Sequence, residues 1–282
     1  MKNILVPTDF SPYSASAFNY ALQIAHRGNA LLTILHDYHV PVINRLNYTS
    51  NIHTLLEAIE PIASDSFIEQ IKANHSAETL ENIRFNYIYD ANLTIDTIIE
   101  LTEKQRFDYL VVASKKRNAL RRLFFSSSLA AIINQVQHCA VLAVPENAAY
   151  HSISHIACAT KLKLQTPAFE QMKAIHLMFQ EPIHFVHVVS ESEKSDNKAK
   201  KQAFRQKVGE TFKKSKFYLH EIVHSDMDDA LFEYIAAKKV NLLCLAAHPE
   251  KALLARLFSS NIIETLTTDA DIPIMIFPIN AI

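Results

Sequence analysis

The chain has 282 residues, enough for two compact domains of the usual size, ~150 residues each. Its 49% hydrophobic content and formal net charge of -1 argue against a disordered chain and a general nucleic-acid binder, both of which usually carry a charge excess. Met1–Asn3 lead into an apolar run that ends at Pro7, too short for a signal peptide or a membrane span. We therefore expect a globular protein of the cytoplasm.

In the first half, short apolar runs alternate with longer amphipathic segments, which is typical of a parallel sheet with crossover helices. The pattern predicts strands near 3–8, 31–37, 83–89, 108–114 and 140–145, and helices near 12–27, 51–73, 93–105 and 127–137. Ser11 and Pro12 suit the start of the first helix, and Gly28 suits its end.

The second half shows the same alternation. It predicts strands near 154–159, 183–189, 216–222, 241–247 and 274–277, and helices near 165–179, 195–213, 227–238 and 260–269. Runs such as Tyr109–Ala113 in the first half are apolar on both faces, as expected of strands that helices cover on both sides.

The two halves also repeat each other in sequence. Ile4–Asp9 is echoed by Ile156–Lys161, and Leu110–Ser114 is echoed by Leu243–Ala247. Self-similarity over a domain length indicates two copies of one fold, which we place at residues 1–148 and 152–282. The segment between them is short, so we expect the two halves to pack together.

The residues at the ends of the predicted strands resemble the universal stress protein family in a tandem, two-domain form. Ile4–Asp9, His36, His187 and Ile272–Pro278 stand where the family's pattern places its first strand, the ends of its second strands and its last strand. The resemblance implies an α/β fold of two tandem, doubly wound, five-stranded parallel-sheet domains of the Rossmann and flavodoxin-like kind, as in the adenine nucleotide alpha hydrolases. We expect the strand order 3-2-1-4-5 in each.

Single-domain members of that family commonly form dimers through their fifth strands. By this resemblance the tandem chain contains such a dimer within itself, and Ala140–Val144 and Ile274–Phe277 are the strands expected at the internal interface. A homodimer of the whole chain and an unidentified protein partner remain open at this point. No membrane or nucleic-acid partner is expected.

Nucleotide-binding members of the family carry G-x-x-G, nine further residues, and then G-S or G-T, because glycines let backbone amides approach phosphates. The corresponding positions in the first half are Ser114 and Arg117 before Ser127–Ser128, or Ala113 and Lys116 before Ser126–Ser127. In the second half they are Ala246 and Pro249 before Ser259–Ser260. Both motifs have lost their glycines, so tight phosphate binding is not expected.

A weaker pocket for ATP in the first half is the alternative. The resemblance assigns the acidic contact of binding members to Asp9, whose counterpart is Lys161. The candidate residues are Pro7, Thr8, Asp9, Ala113, Ser114, Arg117, Ser126, Ser127 and Ser128. Five cations between Lys115 and Arg122 can contact phosphates in place of glycine amides, or form a solvated loop before a serine-capped helix.

Other chemistries have little support in the sequence. His36 with His39, and His184 with His187, have a spacing that places two side chains on opposite strand faces, so neither pair favours a metal site. Asp226, Asp228 and Asp229 suit a helix start. Three cysteines, Cys139, Cys158 and Cys244, lie in or beside apolar runs and are expected to be buried, reduced thiols.

The sequence thus predicts a stress-responsive binding or regulatory protein that is not an enzyme and holds no obligatory cofactor. The competing hypothesis is an adenine-nucleotide binder or slow ATPase that uses one pocket in the first half. No set of residues suited to hydrolysis or metal catalysis is present in the sequence.

Overall fold

The structure is a computed structural model that describes residues 1–37, 51–114, 126–146, 148–162, 166–193, 198–213, 216–246 and 271–277. The elements of the first half are β1 Asn3–Pro7, α1 Pro12–Gly28, β2 Leu31–His36, α2 Ile52–Ile59, α3 Asp65–Asn74, α4 Ala77–Glu81, β3 Phe85–Tyr89, α5 Ile95–Lys104, β4 Tyr109–Ser114, α6 Ser126–Gln135 and β5 Ala140–Pro145. The five predicted strands are confirmed.

The elements of the second half are β6 Ile156–Ala159, α7 Thr166–Phe179, β7 Ile183–Val189, a 3-10 turn at Glu191–Glu193, α8 Lys198–Phe212, β8 Phe217–Val223, α9 Met227–Lys238, β9 Leu242–Ala246 and β10 Ile274–Phe277. These strands also agree with the prediction. The helix predicted near 260–269 lies outside the described residues.

One predicted helix, 51–73, is wrong. The structure contains two helices there, α2 and α3, with a break between Ile59 and Asp65. Pro61 lies in the break, where a proline removes a backbone donor and clashes with the preceding turn. Ser64 then starts the second helix, because its hydroxyl accepts a hydrogen bond from the amide of Phe67 at 3.2 Å.

All ten described strands form a single sheet in the order β3-β2-β1-β4-β5-β10-β9-β6-β7-β8. Each half has the predicted order 3-2-1-4-5, and its neighbouring strands are parallel. The halves join where β5 and β10 pair in the antiparallel direction, which confirms the expected contact between the fifth strands.

The pairing of β5 with β10 is symmetric. The paired residues are Val141 with Ile276, Leu142 with Met275 and Ala143 with Ile274. Since the sheet register makes Leu142 and Met275 equivalent positions in the two halves, this pair lies on a local pseudo-twofold axis.

The segment after β5 packs closely on α1. Ser16 donates a hydrogen bond to the carbonyl of Glu146 at 2.9 Å, and the side-chain amide of Gln23 donates to the Tyr150 hydroxyl at 3.0 Å. In the second half, Asn241 accepts hydrogen bonds from the amides of Ser154 and His155 at 3.1 and 2.9 Å. The connection between the halves is therefore held to both of them.

Each face of the sheet carries its own apolar core, and both cores extend across the two halves. Ile4 and Ile156 belong to one core, whereas Leu5 and Ala157 belong to the other, as the alternation of side chains along a strand requires. None of the described helices combines the length and apolar content that spanning a membrane requires.

Candidate functional site

The first candidate site lies at the carboxyl ends of β1 and β4. The chain leaves these neighbouring strands toward opposite sides of the sheet, and doubly wound sheets open a crevice at such a point. Pro7, Thr8 and Asp9 stand at the end of β1, and Ala113 and Ser114 end β4. The structure thus brings these five predicted residues to the same end of the sheet, where β1 and β4 terminate.

The remaining predicted residues cannot be placed in the crevice by contacts. Arg117 and the other cations up to Arg122 lie outside the described residues, as do the side chains of the three serines that begin α6. The serines are Ser126, Ser127 and Ser128. Helix α6 does begin at Ser126, one residue before the predicted start, so its amino end follows the undescribed segment directly.

The turn after β1 uses most of its own polar groups. Thr8 donates its amide proton to the Leu35 carbonyl at 2.9 Å, and its hydroxyl accepts from the Phe10 amide at 3.0 Å. The same hydroxyl donates to the Ser14 hydroxyl at 3.0 Å. Asp9 is exposed, and its Oδ1 accepts from the Ser11 amide at 3.0 Å. The Asp9 carboxylate therefore shapes the turn that leads into α1.

Phe10 fills the space between the ends of β1 and β2. Its backbone lies in the left-handed region, with φ at 53°, which is unusual for a bulky residue. The ring is buried and stacks on the imidazole of His36, with centroids 4.5 Å apart and planes at 30°. Ser64 holds the turn from outside, because its amide and hydroxyl both donate to the Phe10 carbonyl at 3.2 Å.

His36, predicted at the end of the second strand, is part of this packed arrangement. The imidazole is 3% exposed, its Nδ1 lies 3.4 Å from the Tyr87 hydroxyl, and its Nε2 lies 3.8 Å from an Asp37 carboxylate oxygen. A histidine buried by aromatic and polar neighbours in this way is a packing residue. His39 itself lies outside the described residues.

The second half builds the same turn with different side chains. The Thr160 amide donates to the Val186 carbonyl at 2.9 Å, and the Thr160 hydroxyl accepts from the Leu162 amide at 3.0 Å. Leu162 has φ at 61° and takes the place of Phe10, while Lys161 takes the place of Asp9. His187 lies 2.9 Å from the Thr160 carbonyl through Nδ1. The backbone is repeated, but the acidic group is not.

Glu146 lies at the carboxyl end of the first half's sheet, but the sequence interpretation assigned it to the connecting segment and so did not include it in the site. Its amide donates to the Ser114 carbonyl at 2.9 Å, which places it beside the end of β4. The side chain is largely buried, and among the described residues its Oε2 has no hydrogen-bond partner. Its position directly after the strand-ending Pro145 was the available signal.

The cysteines and acidic residues behave as expected. All three cysteines are buried and free, and burial raises the pKa of Cys139 and of Cys158 to about 12, so neither thiol is activated. Asp226 caps α9, since its Oδ1 accepts from the amides of Asp228 and Asp229 at 2.8 and 3.1 Å. Within the described ranges, no group of three or more His, Cys, Asp or Glu side chains could hold a metal ion.

Comparison with known proteins agrees with the fold. The family model of the universal stress protein family matches residues 1–145. A search of the curated proteins gives no match.

Several solved structures resemble the whole chain. A universal stress protein from Archaeoglobus fulgidus is 14% identical, with a TM-score of 0.65 and 98% of each chain covered. A putative universal stress protein from Pseudomonas aeruginosa is 11% identical, with a TM-score of 0.59, covering 99% of this chain and 93% of that one. The cytoplasmic domain of a prokaryotic cation chloride cotransporter is 11% identical, with a TM-score of 0.56, covering 98% of this chain and 94% of that one. At these identities the likeness concerns the fold.

Proposed function

The chain belongs to the universal stress protein family, and on that premise we propose that it is a stress-responsive, non-catalytic binding or regulatory protein of the cytoplasm. Its affinity for adenine nucleotides is weakened relative to family members that carry the glycine motif. We place its two family domains at residues 1–148 and 152–282. The buried, unpaired thiols of Cys139, Cys158 and Cys244 support a reducing compartment.

The observation that carries this proposal is the stacking of Phe10 on His36. The ring occupies the space at the carboxyl ends of β1 and β2, next to the crevice where doubly wound sheets accommodate ligands. The Thr8 hydroxyl already has two partners within the turn. A ligand that extends from the crevice toward the end of β2 would have to displace this buried aromatic ring, which weakens binding.

The second half supports weak binding for a different reason. Lys161 replaces the acidic residue, Leu162 is buried in the turn after β6, and Pro249 removes a backbone donor at a glycine position of the motif. Phosphoryl transfer requires a phosphate cradle, a held metal and an oriented nucleophile. Neither half offers this combination in its sequence, which supports a non-catalytic role.

The alternative, an adenine-nucleotide binder or slow ATPase, is favoured by one observation in the first half alone. Asp9 is exposed at the crevice, and the basic segment between Lys115 and Arg122 follows β4 directly. Together they offer a hydroxyl-binding acid and phosphate-binding cations. If nucleotide binds, we therefore expect it in the first half and with one site per chain.

Thermal unfolding with and without ATP and magnesium tests the proposal. A ligand present at its Kd stabilises the folded state by about 0.4 kcal/mol, so about 1 mM ATP with a Kd in the millimolar range raises Tm by about 1 °C. A rise of several degrees would contradict weakened binding. ATP hydrolysis is expected to stay at background, and metal-dependent turnover that disappears in Asp9→Ala would establish the enzyme alternative.

A matched pair of variants tests the role of Phe10. Glycine adopts the left-handed conformation at position 10 without strain, so Phe10→Gly removes the ring and keeps the turn. We expect the ATP-induced rise in Tm to be larger in Phe10→Gly than in the wild type. Leu162→Gly, the corresponding change at the equivalent turn, is the control. Its ATP-induced rise in Tm is expected to equal that of the wild type. Equal ATP responses in both variants would refute the argument from Phe10.

A further inference from the structure

A pair of histidines links β7, β8 and α9 of the second half, several strands away in the sheet from the crevice at β1 and β4. His184 lies near the start of β7 and His220 lies on the edge strand β8. The Nδ1 of His184 and the Nε2 of His220 are 3.1 Å apart, and the two rings are parallel within 5°. We call these two residues the imidazole pair.

Helix α9 joins the imidazole pair through Tyr234. Its hydroxyl lies 3.5 Å from the same His184 Nδ1, and its ring centroid lies 5.4 Å from that of His220. The Tyr218 ring, on β8, lies 4.8 Å from the His184 ring and is half exposed. The pair therefore lies between β7, β8 and α9, and it remains accessible to water.

The hydrogen bond within the pair depends on the number of protons it holds. Between neutral imidazoles, one of the two facing nitrogens donates a proton and the other accepts it. One added proton still leaves a donor and an acceptor. After a second proton both nitrogens are donors, so no acceptor remains and two positive charges face each other across the same short distance.

The surroundings of the pair do not compensate such charges. The groups that face it are His155 before β6, Lys238 at the end of α9, and the hydroxyls of Tyr218 and Tyr234. Burial, followed by His220, His155 and Lys238, lowers the pKa of His184. Burial and Lys238 lower the pKa of His220. Among the described residues no carboxylate affects either pKa, so nothing there stabilises the doubly protonated pair.

The first half does not contain this arrangement, although its sheet has the same register. The position of His184 corresponds to Thr33, because the register pairs them with Ala157 and Leu5 in the equivalent first strands. The position of His220 corresponds to Ile88. Thr33 is buried and donates to the Asn3 side chain at 2.8 Å. The imidazole pair is therefore a feature of the second half that the fold does not require.

We propose that the imidazole pair is a proton-operated latch, which holds the edge strand β8 against β7 and α9 at neutral pH and releases it on acidification. This goes beyond the proposed function, because it names the proton as a signal that the second half detects. The sign follows from the lowered pKa values: the released state binds more protons, so the latch contributes fully above about pH 6.5 and is lost as the pH falls below it.

Amide hydrogen exchange of the full chain at about pH 7.5 and pH 5, corrected for the intrinsic exchange rate, tests the latch. We expect the protection of Phe217–Val223 to fall by about an order of magnitude at the lower pH, because the released state takes up protons. Burial lowers the pKa of His75 in the first half, so the comparison is made in a chain that carries His75→Gln. There the protection of Phe85–Tyr89, the opposite edge strand, is expected to change much less. An equal loss of protection in the two edge strands would indicate general acid unfolding and overturn the proposal.

Two variants separate the latch from a merely structural contact. His184→Thr with His220→Ile places the residues of the first half at equivalent positions and is expected to remove the pH dependence of β8. His220→Gln keeps a side-chain partner for His184 at both pH values, because an amide both donates and accepts. It is expected to protect β8 equally at the two pH values. A wild-type drop in protection that persists in either variant contradicts the latch.

Discussion

The two halves build the same turn at the end of their first strand and fill it differently. In both, a threonine hydroxyl accepts from the amide two residues later, and that residue has a positive φ. In the first half the residue is Phe10, next to Asp9; in the second it is Leu162, next to Lys161. The turn therefore belongs to the fold, and the two halves differ here in the two variable side chains.

The contact between the second and third strands shows the opposite distribution of special features. There the first half has Thr33 and Ile88, and the second has the imidazole pair. The two halves thus differ at two places: the first has an acidic group at the crevice, and the second has a titrating contact between β7 and β8. Variants at equivalent positions measure this divergence directly.

The largest effect is expected from shortening the side chains in the two turns. Phe10→Ala removes a buried ring that packs on His36 and lies 5.4 Å from the Phe67 ring, and should lower the free energy of unfolding by about 3–5 kcal/mol. Leu162→Ala removes a smaller side chain and should cost about 2–3 kcal/mol. Urea unfolding of both variants provides the measurement.

The order of the two losses in the free energy of unfolding matters more than either value. Alanine leaves the positive φ of both turns unrelieved, so backbone strain is common to the two variants and the difference reports packing. A larger loss in Leu162→Ala would mean that the second turn, not the first, is the more tightly packed.

The first half also contains an acid-sensitive residue of its own. His75 follows α3 and is 7% exposed, and its Nε2 has no hydrogen-bond partner in the part of the chain that the structure describes. Burial, together with the neighbouring His26, lowers the pKa of His75 to about 4, and a bond to the backbone of Asn19 opposes the shift. Its ring lies 5.0 Å from that of Tyr150, in the segment that connects the halves.

His75 should therefore make the chain less stable in acid. Since its pKa is lower in the folded state, its contribution is complete above about pH 6.5 and is lost as the pH falls toward 4, by up to about 3 kcal/mol. Urea unfolding of wild type and His75→Gln at pH 7 and pH 4.5 measures it, and the variant should lose less stability between the two. If His75→Gln loses as much free energy of unfolding between pH 7 and pH 4.5 as the wild type does, His75 is not responsible for the acid sensitivity.

Most of the fold could be predicted because it depends on local patterns. The apolar runs gave all ten strands, and the family resemblance gave the contact between Ala140–Val144 and Ile274–Phe277. The error at 51–73 arose where a continuous apolar period was interrupted by Pro61, whose effect on the helix is local and was available from the sequence.

The candidate site could be predicted only in part. Asp9 and Thr8 follow from their place after a strand. The contacts of Phe10 do not, because they join residues far apart in the chain, such as His36 and Ser64. His220 was missed for the same reason: its partner His184 was compared with His187, its neighbour along the strand, instead of with the adjacent strand.

The smallest expected effect concerns Asp9, where structural and binding roles can be separated. Asparagine retains the oxygen that accepts from the Ser11 amide, so Asp9→Asn should change the free energy of unfolding by less than about 0.5 kcal/mol. Asp9→Ala loses that hydrogen bond and should cost about 1 kcal/mol. If both variants reduce the ATP-induced rise in Tm equally, the carboxylate charge contributes to binding. If only Asp9→Ala does, the shape of the turn contributes.

Lys161→Asp restores the acid in the second half. It is expected to leave the ATP response unchanged, because Pro249 still removes a backbone donor from the motif there. A second ATP site in Lys161→Asp would show that one side chain accounts for the difference between the two crevices.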